Sequence, residues 1–142
     1  MTVNKERVQL LVDALRSGEF TQHSGALRGL VDSDGQRGYC CLGVATEVAL
    51  RNGLVVEEVT DPNSVSGLKG QPWEQTYQVM CPAVGHWYGW AEGNPLLVGA
   101  NSNEPRQDVA SHWNDDFNFG FDVIADAFER TYITGHEATP VI

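Results

Sequence analysis

Two adjacent thiols, Cys40 and Cys41, stand where an apolar helical repeat begins, and His86, His112, Asn114 and Asp115 follow them along the chain. A cysteine in the first turn of a helix faces unpaired backbone N–H groups and the positive end of the helix dipole, both of which favour a thiolate. Papain-like enzymes place such a thiol ahead of a histidine and then an asparagine or aspartate. The order here fits. A cysteine-dependent hydrolase or transferase built from Cys40 or Cys41, with His86 or His112 and with Asn114, is therefore the enzymatic alternative. Against it, one histidine and one asparagine downstream of a cysteine recur in many sequences. The reading adopted has Cys41 packing as a small apolar side chain beside Val44 and Val48, with Cys40 flanking the preceding loop and no catalytic residue.

Other chemistries find less support. The chain has three cysteines and four histidines, but no C-x-x-C, no H-x-x-x-H and no second cysteine pair, so no metal site is expected. Asp32-Ser33-Asp34-Gly35 resembles half of a calcium loop; without the remaining acidic ligands and the closing Glu it reads as a turn. Neither phosphate-loop pattern occurs, and Gly67-Leu68-Lys69-Gly70 is a loop with one lysine. Gly43 is expected to let another element approach the helix closely. No cofactor is expected. A small anionic ligand at the amino end of that helix, near Arg28 or Arg37, is a weaker alternative.

The most unusual local composition is aromatic. Trp87, Tyr88 and Trp90, with Trp73 and Tyr77 ahead of them, form either core packing with indole N–H groups satisfied at its rim or a recognition surface. The candidate ligand or partner surface is accordingly Arg37, Tyr39, Cys40, Trp87, Tyr88 and Trp90. Nine Lys+Arg against 19 Asp+Glu give a formal net charge of −10, which argues against nucleic-acid binding because phosphate contacts need clustered cations. The acidic residues are scattered rather than arranged as a DNA-like stripe.

The elements that must position these residues follow from periodicity. Val8, Leu11, Val12 and Leu15 predict an amphipathic helix over 5–17, capped by Asn4 and closed by Ser17-Gly18. Short extended pieces at Ala26–Val31 and Gln36–Tyr39 flank the turn at Asp32–Gly35. Cys41, Val44, Ala45 and Val48 predict a second helix over 40–52, stopped by Asn52-Gly53. Strands are expected at Leu54–Val59 and Thr76–Met80 around a loop over 60–72, then a short helix from Pro82 towards Trp90 and a turn plus strand at Asn94–Val98. Gln107–Trp113 is read as a short helix, and Phe121, Ile124, Ala125 and Phe128 as a helix over about 120–132, followed by a loose tail from about 135. With 142 residues, 42% of them apolar, one α+β domain is expected over 1–142, with helices near both termini and a small central sheet.

Three blocks resemble a family of small bacteriophage proteins. They are Ala14-Leu15-Arg16-Ser17-Gly18-Glu19-Phe20-Thr21-Gln22, then Gly25-Ala26-Leu27, then Tyr39-Cys40-Cys41-Leu42-Gly43-Val44. That family shows A-L-x-S-G-x-[YF]-x-Q, a Gly-x-Leu and a C-C-L-G-V entry into a helix. Asn114-Asp115 and Phe121-Asp122-Val123-Ile124-Ala125-Asp126 resemble its closing segment. The resemblance implies a phage genome as source and the host cytoplasm as location, and it carries no activity with it. Two adjacent cysteines argue against a disulfide framework, which agrees with reduced thiols in a cytosolic setting. The N-terminus has no secretory pattern, and no apolar run approaches the roughly 20 residues a membrane span needs. The function expected is binding of a host protein or small ligand, without nucleic acid or membrane.

Overall fold

The computed structural model describes residues 2–25, 27–28, 37–55, 79–91, 93–100 and 104–134. Helix α1 spans Lys5–Arg16, and the Asn4 side chain accepts the Arg7 backbone N–H at 3.1 Å, the cap its sequence predicts. Its buried face is Val8, Leu11, Val12 and Leu15. At the other end the Ser17 hydroxyl donates to the Ala14 carbonyl and accepts from the Glu19 N–H, turning the chain out of the helix.

Strand β1, Thr21–Gln22, then runs parallel to β2, Gly38–Tyr39, while Arg28 forms an antiparallel bridge to Tyr39. Helix α2, Cys41–Arg51, follows directly with Cys40 as its N-cap. Helix α3 is Pro82–Tyr88, with proline in the first turn as expected. Strands β3, Leu96–Val98, and β4, Gln107–Val109, pair antiparallel, with Leu97 opposite Asp108. Helix α4, Ala110–Asp115, and helix α5, Phe121–Phe128, follow, and α5 continues into a π-helical stretch, Glu129–Ile133.

The result is an α+β fold with helices near both ends. Its β part comprises, among the described residues, two separate two-stranded sheets. α1 packs on α5 and α2, and Val8, Leu11, Ile124, Phe128, Val44 and Trp113 belong to one buried cluster. The π-helical stretch closes the outer edge of β3 with side chains. Thr131 Oγ1 accepts the Val98 N–H at 3.0 Å, Arg130 donates to the Val98 carbonyl, and Tyr132 donates to the Leu96 carbonyl at 2.6 Å. A strand edge left unpaired in this position would expose backbone groups to loss of solvent.

One expected element is corrected. Gln107–Trp113 is not a single helix: Gln107–Val109 is strand, and the helix starts only at Ala110. Pairing with Leu96–Val98 decides those three residues, a tertiary effect that a seven-residue pattern does not carry. Val55, Val79 and Met80, at the margins of the two expected strands over 54–59 and 76–80, are not in strands. Leu54 is likewise not in a strand, and residues 56–59 and 76–78, the turn at Asp32–Gly35, the loop over 60–72, Trp73, Tyr77 and the tail from 135 lie outside the described residues.

Candidate functional site

The start of α2, from the C-C-L-G-V block to Ala45, meets three other segments of the chain. The first N–H of α2, that of Cys41, donates to Asn114 Oδ1 at 3.1 Å. The Cys41 thiol sits 3.6 Å from the Ala110 carbonyl. At Gly43 the backbone of Leu27 crosses the helix so closely that a Cβ there would lie 1.7 Å from the Leu27 carbonyl oxygen. One turn on, the Ala45 carbonyl accepts the Tyr88 hydroxyl. The close approach expected at Gly43 is therefore present, and Leu27 of the Gly-x-Leu block makes it.

Asn114 ties the remaining blocks together. Its Oδ1 also accepts from Gln22 Nε2 at 2.9 Å, and its Nδ2 donates to the His23 carbonyl and to Asp115 Oδ1 at 2.8 and 2.7 Å. Gln22 reaches the Phe119 carbonyl with the same nitrogen, at 2.7 Å. Asn114 is 1% exposed, so its own bonds satisfy side-chain atoms shut off from water. Gln22 closes the first motif and Asn114 opens the last, and they meet at the start of the helix that carries the third.

This arrangement does not assemble the nucleophile of the enzymatic alternative. Cys40 and Cys41 are 1% and 0% exposed. Burial pushes the Cys40 thiol up to about 12, with the N–H of Gly43 offsetting part of the cost and Asp115 adding to it. Burial likewise raises Cys41 well above the ordinary thiol range, with Cys40 and Asp115 raising it further. Removal from water outweighs the helix end that would favour a thiolate. Neither histidine serves the thiols: His86 Nε2 lies 3.3 Å from the Ala91 carbonyl, and His112 engages Asp108 and Asp116. Asn114 approaches Cys41 through the backbone. At the amino end of α2 the Cys41 N–H is already taken by Asn114.

The expected aromatic surface is mostly interior. Tyr88 is 0% and Trp90 4% exposed, their rings stacked at 4.7 Å, and Trp90 also meets Phe128 and Tyr132. The Trp90 indole N–H has no partner among the described residues, so the rim contact expected for it is not made there. Trp87 is half-buried beneath Arg7, whose guanidinium carbon sits 4.4 Å above the ring and which donates to the Trp87 carbonyl. Tyr39 is half-buried with its ring edge-on to Phe20, and Arg37 is half-buried beside β2. These residues and Cys40 do not form one surface patch, since Tyr88, Trp90 and Cys40 belong to the core.

Beside Asn114 there is instead a polar groove of about 350 Å³ between the Ser24-Gly25 turn and α4, lined also by Ser111, His112, Asp115 and Asp116. His112 stands at its lip with Nδ1 2.8 Å from Asp108 Oδ1 and Nε2 3.6 Å from Asp116 Oδ2. Ser24 and Ser111 carry no signal of their own in the sequence, and Asp115-Asp116 reads there as a solvated acidic face. The one available signal was that Gln22 and Asn114-Asp115, at the end of one motif and the start of another, flank the two serines. Among the described residues no group of three or more His, Cys, Asp or Glu side chains is placed to hold a metal ion, and no helix is long and apolar enough to cross a membrane.

Fold and site thus define a small α+β protein in which β1, α2 and α4 meet at one buried asparagine beside an acidic groove. The family model for a domain of unknown function, DUF8296, matches residues 3–132, and the chain belongs to that family. No curated protein and no solved structure matches the chain.

Proposed function

We propose that this protein acts by binding, as a bacteriophage accessory protein in the host cytoplasm, and that its groove beside Asn114 receives a basic segment of a host protein. The observation that carries this reading is the groove's lining: Asp115 and Asp116, backed by Asp108, present carboxylates, and Ser24 and Ser111 present hydroxyls. Charge elsewhere points the same way. Arg16 is held by Asp126 and Glu129, Arg51 by Glu19 and Glu47, and Arg130 by Glu104, so these cations are spent within the molecule. The excess of carboxylates, with a formal net charge of −10, favours cationic partners and disfavours nucleic acid.

The buried thiols support binding over cysteine catalysis. The phage origin rests on the resemblance of the three motif blocks.

Affinity capture from host lysate, run beside the double variant D115N/D116N, tests the reading. A partner with a basic segment, retained by the natural protein and lost by the variant, is expected. Equal capture by both proteins, or a small molecule found at another place on the chain by native mass spectrometry, contradicts it.

A further inference from the structure

Asn52 and Gly53 form the only Asn-Gly step in the chain, and both stand exposed at the end of α2. Glycine has no side chain to shield its backbone nitrogen, so in such a step that nitrogen can attack the asparagine side chain. Ring closure requires the Gly53 nitrogen to swing towards Asn52 Cβ about the Cα–C bond. The fold holds it elsewhere: ψ of Asn52 is 19°, so the Gly53 nitrogen nearly eclipses the Asn52 nitrogen and lies well away from Cβ. Three bonds fix that rotation. Asn52 Nδ2 donates to the Val48 carbonyl at 2.8 Å, the Gly53 N–H to the Leu50 carbonyl at 3.2 Å and the Leu54 N–H to the Ala49 carbonyl at 3.1 Å. Arg51, paired with Glu47 and Glu19, fastens the same turn from outside. A Cβ at Gly53 would meet nothing within 4 Å, so the turn has room to rotate once these bonds open.

We propose that Asn52 is a site of spontaneous deamidation and that the carboxyl-terminal cap of α2 holds it closed until this turn frays. In the opened turn the Gly53 nitrogen bonds to Asn52 Cγ and the Cγ–Nδ2 bond breaks. The amide nitrogen departs as ammonia, taking up the proton that Gly53 gives up. One water then opens the five-membered imide at either carbonyl, leaving aspartate or isoaspartate. Neither product rebuilds the cap. A carboxylate at position 52 has no N–H for the Val48 carbonyl and adds negative charge at the negative end of the helix. Isoaspartate adds a carbon to the main chain just where Gly53 turns it with φ at +97°.

Incubation of the full chain at pH 8.5, in buffer and in guanidinium chloride, with each asparagine followed by peptide mass spectrometry, tests this. In denaturant Asn52 is expected to convert ahead of every other asparagine. In buffer it is expected to convert at least about tenfold more slowly, because the cap bonds must open first. R51G weakens the last turn of α2 and is expected to speed conversion in buffer about fivefold while leaving the rate in denaturant unchanged. Conversion as fast in buffer as in denaturant overturns the closure by the cap, as does a rate in R51G equal to that of the natural protein. An Asn52 that stays intact in denaturant, or converts no faster there than the other asparagines, overturns the site itself.

Discussion

Asn114 Oδ1 lies 3.1 Å from the backbone nitrogen of Cys41, so a side chain of α4 caps the first turn of α2. Cys40, the N-cap residue, makes no side-chain cap bond of its own. A helix whose first turn is buried needs an acceptor there, and the fold supplies one from a residue 73 positions away. Replacing Asn114 by alanine takes the acceptor from the buried Cys41 N–H and the side-chain donor from the His23 carbonyl, while Gln22 keeps its bond to the Phe119 carbonyl. The expected loss is about 3 kcal/mol in urea denaturation. N114D retains the acceptor for Cys41 but sets a second carboxylate against Asp115, so it is expected to destabilise as well. A change under about 0.5 kcal/mol for N114A would show that the hub is dispensable.

Gly43 leaves less room for a Cβ than the other described glycines. Because the Leu27 carbonyl would lie 1.7 Å from an added Cβ, G43A must displace backbone. An expected cost of about 3 kcal/mol or more puts this variant among the severe ones. Thermal melting followed by circular dichroism checks it, with the helix-favouring effect of alanine working in the opposite sense and losing.

The side-chain closure of β3 predicts a smaller effect. T131V keeps the volume of Thr131 but leaves the Val98 N–H without its acceptor. A loss of about 1–2 kcal/mol is expected, against about 1 kcal/mol for Y132F, which releases only the Leu96 carbonyl. Amide exchange at Val98, slow in the natural protein and accelerated in T131V, gives the local readout.

Alkaline pH should loosen the fold. The Cys40 thiol moves from near 9 to about 12 on folding, so above 9 the unfolded chain releases a proton that the folded chain retains. Stability from this group is complete below pH 9 and is lost as the pH rises towards 12. Burial raises Cys41, Tyr88 and Tyr132 in the same direction and adds to the loss. Urea midpoints measured from pH 8 to pH 11 should fall steadily, and C40A should flatten the slope.

Helices with several turns and one apolar face were legible in the sequence. The α1 stripe from Val8 to Leu15, the Pro82 start of α3 and the Phe121–Phe128 spacing each specify their own face. β4 was not legible, because three residues hold no period and only pairing with Leu96–Val98 makes them strand. At the site, sequence order placed Cys41 before Asn114 and tempted a catalytic reading. The bond between them is real, but it joins a side chain to a backbone N–H, a distinction that residue type and order do not encode. His112 was singled out as a partner for a thiol, and the structure turns it to Asp108 and Asp116 instead. The aromatic cluster near Trp87 divides because Tyr88 reaches the Ala45 carbonyl and draws Trp90 inward with it, while Arg7 holds Trp87 near the surface.

Iodoacetamide labelling of the folded protein, with each site followed by peptide mass spectrometry, tests most directly whether the paired thiols build the fold or do chemistry. The account predicts that Cys40 and Cys41 stay unmodified at neutral pH and react at the ordinary rate of an unperturbed thiol once urea unfolds the chain. Rapid modification of either thiol in the folded protein, with a pH midpoint well below about 8.5, would contradict it.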